Sequence, residues 1–70
     1  MYYVMELQTN GSQGTYLVTA KETRDEAMSA YHSVLAAAAI SDIERHACIV
    51  VDEYGNRIAN EYYEHLDEQQ

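Results

Sequence analysis

The 70-residue sequence contains no proline, phenylalanine or tryptophan and has a single cysteine. With Cys48 alone, the chain cannot form an internal disulfide. Its position in an apolar run predicts a small buried side chain rather than a reactive thiol. The absence of Phe and Trp leaves seven Tyr, so every aromatic ring carries a hydroxyl group. Such rings suit surfaces that are partly apolar and partly wet, as protein interfaces are, although a thin sheet can also half-bury them.

Basic residues are scarce, with four Lys and Arg against twelve Asp and Glu, and the net charge is −8. Phosphate backbones are bound by clustered Lys and Arg, so we expect no direct binding to DNA, RNA or anionic membranes. A basic protein partner is compatible with this charge, as is a protein that normally holds nucleic acid. Solubility alone is a simpler explanation of the acidity, and the sequence leaves both readings open.

Targeting and membrane signals are absent from the sequence. The first six residues have neither the basic flank nor the apolar stretch of a signal peptide. No apolar run approaches the roughly 20 residues that span a bilayer. We therefore expect a cytoplasmic protein with one domain over residues 1–63 and an acidic tail over residues 64–70. A chain of this size buries only roughly 60% of its unfolded surface, so oligomerisation would add useful burial.

No catalytic or cofactor-binding pattern is present. The serines lack a G-x-S-x-G elbow, and the glycines lack the Lys-Ser/Thr of a phosphate loop. His32, His46 and His65 are scattered, with no H-x-x-x-H pair and no second cysteine for zinc. The segment around Gly55 superficially resembles a calcium loop, but Tyr54 occupies a position that needs an oxygen ligand. We therefore expect a non-enzymatic protein without a metal or other cofactor.

One amphipathic helix is predicted from residue 24 to about residue 39. Thr23 and Glu26 have the spacing of a capping box, and Asp25 adds negative charge where the helix dipole favours it. Apolar residues then recur at steps of three and four, which predicts one buried stripe. The members of this stripe are Ala27, Ala30, Tyr31, Val34, Leu35 and Ala38.

Four segments around the helix have the composition of strands, namely residues 2–9, 15–20, 46–51 and 57–63. The first and last pairs are joined by glycine-containing turns, at residues 10–14 and 52–56, and form hairpins. We predict an α+β fold with β-β-α-β-β order and a four-stranded antiparallel sheet in the order 2-1-3-4. The helix packs on one face, and the third strand lies centrally, buried on both faces.

The sheet face away from the helix is the predicted binding surface. We expect it to carry Tyr2 and Val4, together with Tyr16 or Leu17 and Tyr62 or Tyr63, depending on register. Nearby acids would select a partner with Arg or Lys. The predicted contact residues are Tyr2, Tyr16, Tyr62, Glu6, Glu61 and Glu64, with Asp67 and Glu68 as further acids.

Two resemblances accompany these patterns. The run T-x-D-E-A-x-x-A-x-H-S-x-L from Thr23, followed by C-x-V-x-D-x-x-G from Cys48, resembles short uncharacterised proteins of prophages and conjugative elements in Gram-positive gut bacteria. The opening hairpin and Thr-x-x-Glu-Ala segment are similar to HicB-type antitoxins, whose β-β-α-β fold binds a small basic toxin. The chain lacks that family's Pro-Asp-Leu-Pro-Gly-Cys segment and DNA-binding extension.

These observations favour a non-enzymatic, acidic protein-binding module. It would self-associate, as a homodimer, through a tyrosine-rich sheet face or through an edge strand. The alternative is an antitoxin-like or phage counter-defence inhibitor that binds a basic, nucleic-acid-handling protein. The sequence does not identify the partner.

Overall fold

The computed structural model describes residues 1–65 of the chain. Its elements are β1 (Tyr2–Asn10), β2 (Gln13–Lys21), α1 (Arg24–Ile40), β3 (Arg45–Asp52) and β4 (Arg57–Glu64). The strands form one antiparallel sheet in the order β2-β1-β3-β4, so the predicted α+β fold and strand order are confirmed. Most of the predicted acidic tail, including Asp67 and Glu68, lies outside the described residues.

The helix begins at the predicted capping box. Thr23 has extended backbone angles (φ −120°, ψ 157°), its hydroxyl accepts from the Glu26 amide, and the Glu26 carboxylate accepts from the Thr23 amide. At the other end, Ser41 returns to an extended conformation and its amide donates to the carbonyl of Ala38. Polar groups at both ends therefore satisfy backbone atoms that a helix leaves without partners.

The core lies between one stripe of α1 and the two central strands. Ala27 and Tyr31 from the helix are buried against Val4 of β1 and against Cys48 and Val50 of β3. The predicted stripe is confirmed, because its other members are buried or partly buried on the same side of the helix. Small side chains allow the helix to lie close to the sheet, and the resulting core is thin.

The prediction for the two faces of β1 is wrong. Val4 is only 3% exposed, and Tyr2 packs against the same core, so both lie on the helix side. The pairing of Val4 with Val50 fixes this orientation, because Val50 is fully buried under α1. The uncovered set, with Tyr3, Met5 and Leu7, is the more apolar of the two, so the alternation of β1 by itself favoured the wrong face for the core.

The central strand β3 is also less enclosed than predicted. Cys48 and Val50 are fully buried by the helix, whereas Ile49 and Val51 on the other side are only partly buried by their neighbours in the sheet. Burial of β3 on both faces would require a second layer. Within residues 1–65, no element provides one.

The hairpin turns are tighter than predicted. Asn10 still pairs with Gln13, so the first turn has two central residues, Gly11 and Ser12, and Gly14 belongs to β2. Gly11 has a φ of +60° at the first central position, as a type II′ turn requires. In the second turn, Gly55 has a φ of +84°.

Candidate interaction surface and a buried polar cluster

The sheet face opposite α1 is a continuous apolar surface, which we call the open face. Strand alternation and the pairing registers place ten apolar side chains on it. They are Tyr3, Met5, Leu7, Tyr16, Val18, Ala20, Ala47, Ile49, Val51 and Tyr62. Tyr16 is 77% exposed and Tyr62 is 59% exposed, so the chain itself leaves large parts of these rings in water.

One row of side chains crosses all four strands of the open face. Tyr16 pairs with Leu7, Leu7 pairs with Ala47, and Ala47 pairs with Tyr62. The row therefore has a tyrosine at each end and smaller side chains between them. A cavity of about 410 Å³ lies at this end of the open face, lined by Leu7, Ala47, Tyr62 and their neighbours. The open face thus contains a depression beside the ring of Tyr62, and a side chain from a partner can fit into it.

Charge is nearly absent from the open face. Arg45 and Glu64 lie at one end of it, with Nε and Oε2 3.3 Å apart, and Arg57 lies toward the other end. Among the acids of residues 1–65, Glu64 alone occupies a strand position on this face. Within residues 1–65, the acids other than Glu64 are therefore separated in space from the apolar surface.

The structure divides the six predicted contact residues between the two sides of the sheet. Tyr16 and Tyr62 lie on the open face, in the same row. Tyr2 lies on the helix side, where it packs against the core. Glu6 and Glu61 lie on the same side, because both pair with Cys48, which is fully buried under the helix. Glu64 is on the open face, in its ion pair. Sequence reasoning missed Tyr3, Met5 and Ile49, although strand alternation places Tyr3 on the same side of β1 as Met5 and Leu7.

A second candidate site is a polar cluster beneath the C-terminal end of α1. His46 is only 3% exposed, and its two ring nitrogens contact different residues. Nε2 lies 2.5 Å from Oε2 of Glu6, and Nδ1 lies 3.3 Å from Oγ of Ser41. Gln8 also donates to Oε2 of Glu6, at 3.0 Å. These contacts join β1, β3 and the residue that ends the helix.

The cluster has the order of a serine, histidine and carboxylate triad, but its hydrogen bonds point to a structural role. The Ser41 hydroxyl lies 3.2 Å from the carbonyl of Ala38, to which it donates, as well as 3.3 Å from Nδ1 of His46. Glu6 accepts from Nε2. The His46 ring between these two partners is only 3% exposed, so a substrate could reach it only if the cluster opened. The arrangement fixes the end of α1 to the sheet.

The hydrogen bond from His46 lowers the pKa of the Glu6 carboxyl from its ordinary value of 4.5, against the opposing effect of burial. The neighbouring Cys48 is fully buried, and burial, with a smaller contribution from the charge of Glu6, raises its thiol pKa to about 11. A thiol with such a pKa is almost entirely protonated near neutral pH. Cys48 therefore acts in this structure as a small apolar core residue, as predicted.

Residues 1–65 contain no group of three or more His, Cys, Asp or Glu side chains arranged to hold a metal ion. The one helix in this part of the chain does not have the length and apolar character needed to cross a membrane. Comparison with known proteins gives no match to any protein-family model, any curated protein or any solved structure.

Proposed function

We propose that this chain is a non-enzymatic protein-binding module that self-associates through the open face. The observation that supports the proposal is the continuous apolar face on a chain with a net charge of −8. Strands of this length in a four-stranded sheet cover roughly 27 Å by 14 Å, or about 400 Å² when the face is treated as flat. This area is comparable with the largest apolar patch on a typical soluble monomer, and such patches are often functional. A surface of this size and composition favours a protein partner.

A second copy of the chain fits the open face better than a basic partner does. Among the described residues, a basic surface would find one acid there, Glu64, which Arg45 already pairs. Two copies would bring together surfaces that are both apolar and nearly neutral, while their acidic ends and helices stay apart. Sheets packed in this way lie about 10 Å apart, with interdigitating side chains. The large rings of Tyr16 and Tyr62 stand on either side of the smaller Leu7 and Ala47 side chains, and this uneven surface allows such interdigitation.

Sedimentation velocity of matched lysine variants would test this proposal. Ile49 lies in the middle of the open face, paired with Met5, whereas Ile40 is 88% exposed at the end of α1. Ile49→Lys and Ile40→Lys make the same change in charge and side-chain type. Both reduce the net negative charge, so general repulsion between copies cannot explain a loss of assembly. We expect Ile49→Lys to halve the mass of the assembled species and Ile40→Lys to leave it unchanged.

The folded state of each variant should be checked by far-UV circular dichroism and thermal unfolding. If Ile49→Lys does not fold, Ile49→Thr keeps a β-branched residue in the strand and weakens the contact without a charge. A folded Ile49→Lys protein with the mass of the wild type would refute self-association through the open face.

The second candidate function is inhibition of a basic, nucleic-acid-handling protein, in the manner of an antitoxin or a counter-defence protein. It is favoured by the acids at the end of the sheet where β2 and β3 finish, which include Glu22, Asp25, Glu26 and Glu53. Such binding would weaken sharply as salt rises, because surface charges are screened. A pull-down at low salt that returns only neutral or acidic proteins would count against it.

A further inference from the structure

We infer that the outer edge of β2 pairs with β2 of a second copy, antiparallel and centred on Leu17. This interface rests on the proposed self-association but uses a different surface. It would extend the four-stranded sheet to eight strands. The inference is carried by the burial of β2, the chemistry of its edge and the symmetry of its sequence.

The strand β2 is incompletely buried on both of its sides. Residues 13–20 are all exposed, and the core cluster of the described chain includes no residue from β2. Leu17 points to the helix side, yet it is 61% exposed, whereas Val4, on the same side of the adjacent strand β1, is buried under α1. The helix thus covers the inner strands and leaves β2 without a layer over it.

The edge of β2 also lacks the features that protect edge strands from pairing. Residues 13–20 include no charged residue and no proline, and the register of β2 with β1 runs without a bulge. The opposite edge, β4, carries Arg57, Glu61 and Glu64, and its register shifts near Val50 and Val51. Charges and bulges on an edge discourage pairing with another chain. Of the two edges, β2 is therefore the one suited to accept a strand.

The hydrogen-bonding alternation of β2 allows a symmetric pairing. The two-residue turn closes on Asn10 and Gln13, which places Gln13 and every second residue after it in position to bond with β1. The backbone groups of Gly14, Tyr16, Val18 and Ala20 then point outward. A two-fold axis at Leu17, the middle residue of β2, aligns Tyr16 with Val18 of the second copy. It likewise aligns Gly14 with Ala20, so the outward-pointing backbone N–H and C=O groups of one copy lie opposite those of the other and can bond with them.

Side chains and charges agree with this register. The two-fold axis would be perpendicular to the sheet, so both helices would lie on the same side. The exposed Leu17 side chains would meet in the gap between them. Lys21, the one charged residue of β2, would lie opposite Gln13 and not opposite a like charge. No pair of acids is brought together by the edge contact.

Interface size also favours a second contact. Two open faces of about 400 Å² each bury roughly 800 Å² of projected area, which is below the roughly 1,000 Å² expected of a specific protein interface. Pairing at the edge adds main-chain hydrogen bonds and joins the two open faces into one surface of twice the width. Stacking two such eight-stranded sheets gives a closed assembly of four copies with two-fold axes in both directions.

Leu17→Lys tests the edge contact without touching the open face. In the monomer this side chain is largely in water, beside Glu6 across the strand pair, so the lysine is tolerated. In the paired edge, two lysines would lie directly opposite each other and repel. We expect sedimentation velocity to give four copies for the wild type and two for Leu17→Lys. Ile40→Lys is the matched control and should remain at four.

Hydrogen exchange on the wild-type protein tests the edge contact without any substitution, so the result cannot be explained by a misfolded variant. We expect the amides of Tyr16 and Val18 to be protected at high protein concentration and to exchange faster on dilution. The amide of Leu17, which faces β1, should stay protected throughout. Free exchange of Tyr16 and Val18 at concentrations where the protein is assembled would overturn the edge inference.

The masses of the Leu17→Lys and Ile49→Lys variants show separately whether the edge contact and the open-face contact exist. If Leu17→Lys keeps the mass of the wild type while Ile49→Lys halves it, the open face is used and the edge inference is wrong. If Ile49→Lys keeps the wild-type mass and Leu17→Lys halves it, the edge is used and the proposed role of the open face is wrong. If both interfaces exist, the double variant sediments as a monomer.

Discussion

Replacing Glu6 by glutamine should show how much the buried polar cluster contributes to stability. Glu6→Gln keeps an oxygen near Nε2 of His46 but removes its charge. A hydrogen bond to a charged group contributes about 1.5–3 kcal/mol. Because glutamine can still accept a hydrogen bond, we expect a loss near the lower end, about 1.5 kcal/mol at neutral pH. For a domain of this size, such a loss lowers the unfolding temperature by roughly 6–12 °C.

The pH dependence of this loss follows from the pKa of Glu6. Folding lowers that pKa from 4.5, so the stabilising contribution of the carboxylate is complete above about pH 4.5. It disappears as the pH falls through the pKa of the folded state. The difference in unfolding free energy between wild type and Glu6→Gln should therefore be largest at neutral pH and shrink under acid conditions.

Urea unfolding followed by circular dichroism, at one fixed protein concentration, measures this difference. A fixed concentration is needed because self-association would add to the apparent stability. Glu61→Gln is the matched control, since Glu61 is an exposed strand residue and its loss should change stability by less than about 0.5 kcal/mol. A Glu6→Gln cost that stays constant from neutral pH to well below 4.5, or one equal to that of Glu61→Gln, would refute the structural role of the cluster.

Three further predictions concern the helix cap, the buried thiol and a turn. Thr23→Ala should lower the unfolding free energy by about 1 kcal/mol, because the Glu26 amide loses its acceptor. In urea titrations, Thr23→Ser should keep most of the wild-type stability, because its hydroxyl can still accept. Equal losses for the two variants would contradict the capping role. Cys48 should react with a thiol reagent only as fast as the protein unfolds, and rapid labelling of the folded protein would contradict its burial. Gly55→Ala should lower the unfolding free energy by about 1 kcal/mol, because Gly55 has a φ of +84° that alanine adopts only with strain. Gly14→Ala, at a position without positive φ, should cost less. Equal losses for the two variants in thermal unfolding would contradict the strain at Gly55.

The fold was largely predictable because its signals are local. The Thr23 to Glu26 capping box and the apolar stripe along α1 define the helix within a few turns of chain. Short glycine turns then restrict each strand pair to a hairpin, and the helix between them allows β1 and β3 to pair. These steps require no knowledge of contacts between distant residues, which explains why the strand order followed from the sequence.

The orientation of the sheet required contacts that no local pattern contains. In β1, Val4 and Met5 are equally able to face a core, and the choice depends on packing between Val50 and the helix. The contact between Glu6 and His46 spans 40 residues and depends on the same register. A usable signal was present, because a carboxylate on an otherwise apolar strand face must find a polar partner when that face is covered.

The same orientation determines which residues are available to a partner. Turning Tyr2 and Glu6 toward the helix leaves Tyr3, Met5 and Leu7 on the open face beside Tyr16 and Tyr62. This exchange removes acids from the proposed interface and makes it apolar. Self-association thereby becomes compatible with a strongly acidic chain, because the contacts avoid the residues that carry the charge.

Sedimentation equilibrium of the wild-type chain over a wide range of concentrations tests the central claim most directly. The chain has a mass of 8.0 kDa. An uncovered apolar sheet face that binds a second copy predicts a weight-average mass that rises above this value as concentration increases. A mass that stays at 8.0 kDa at every concentration would contradict it.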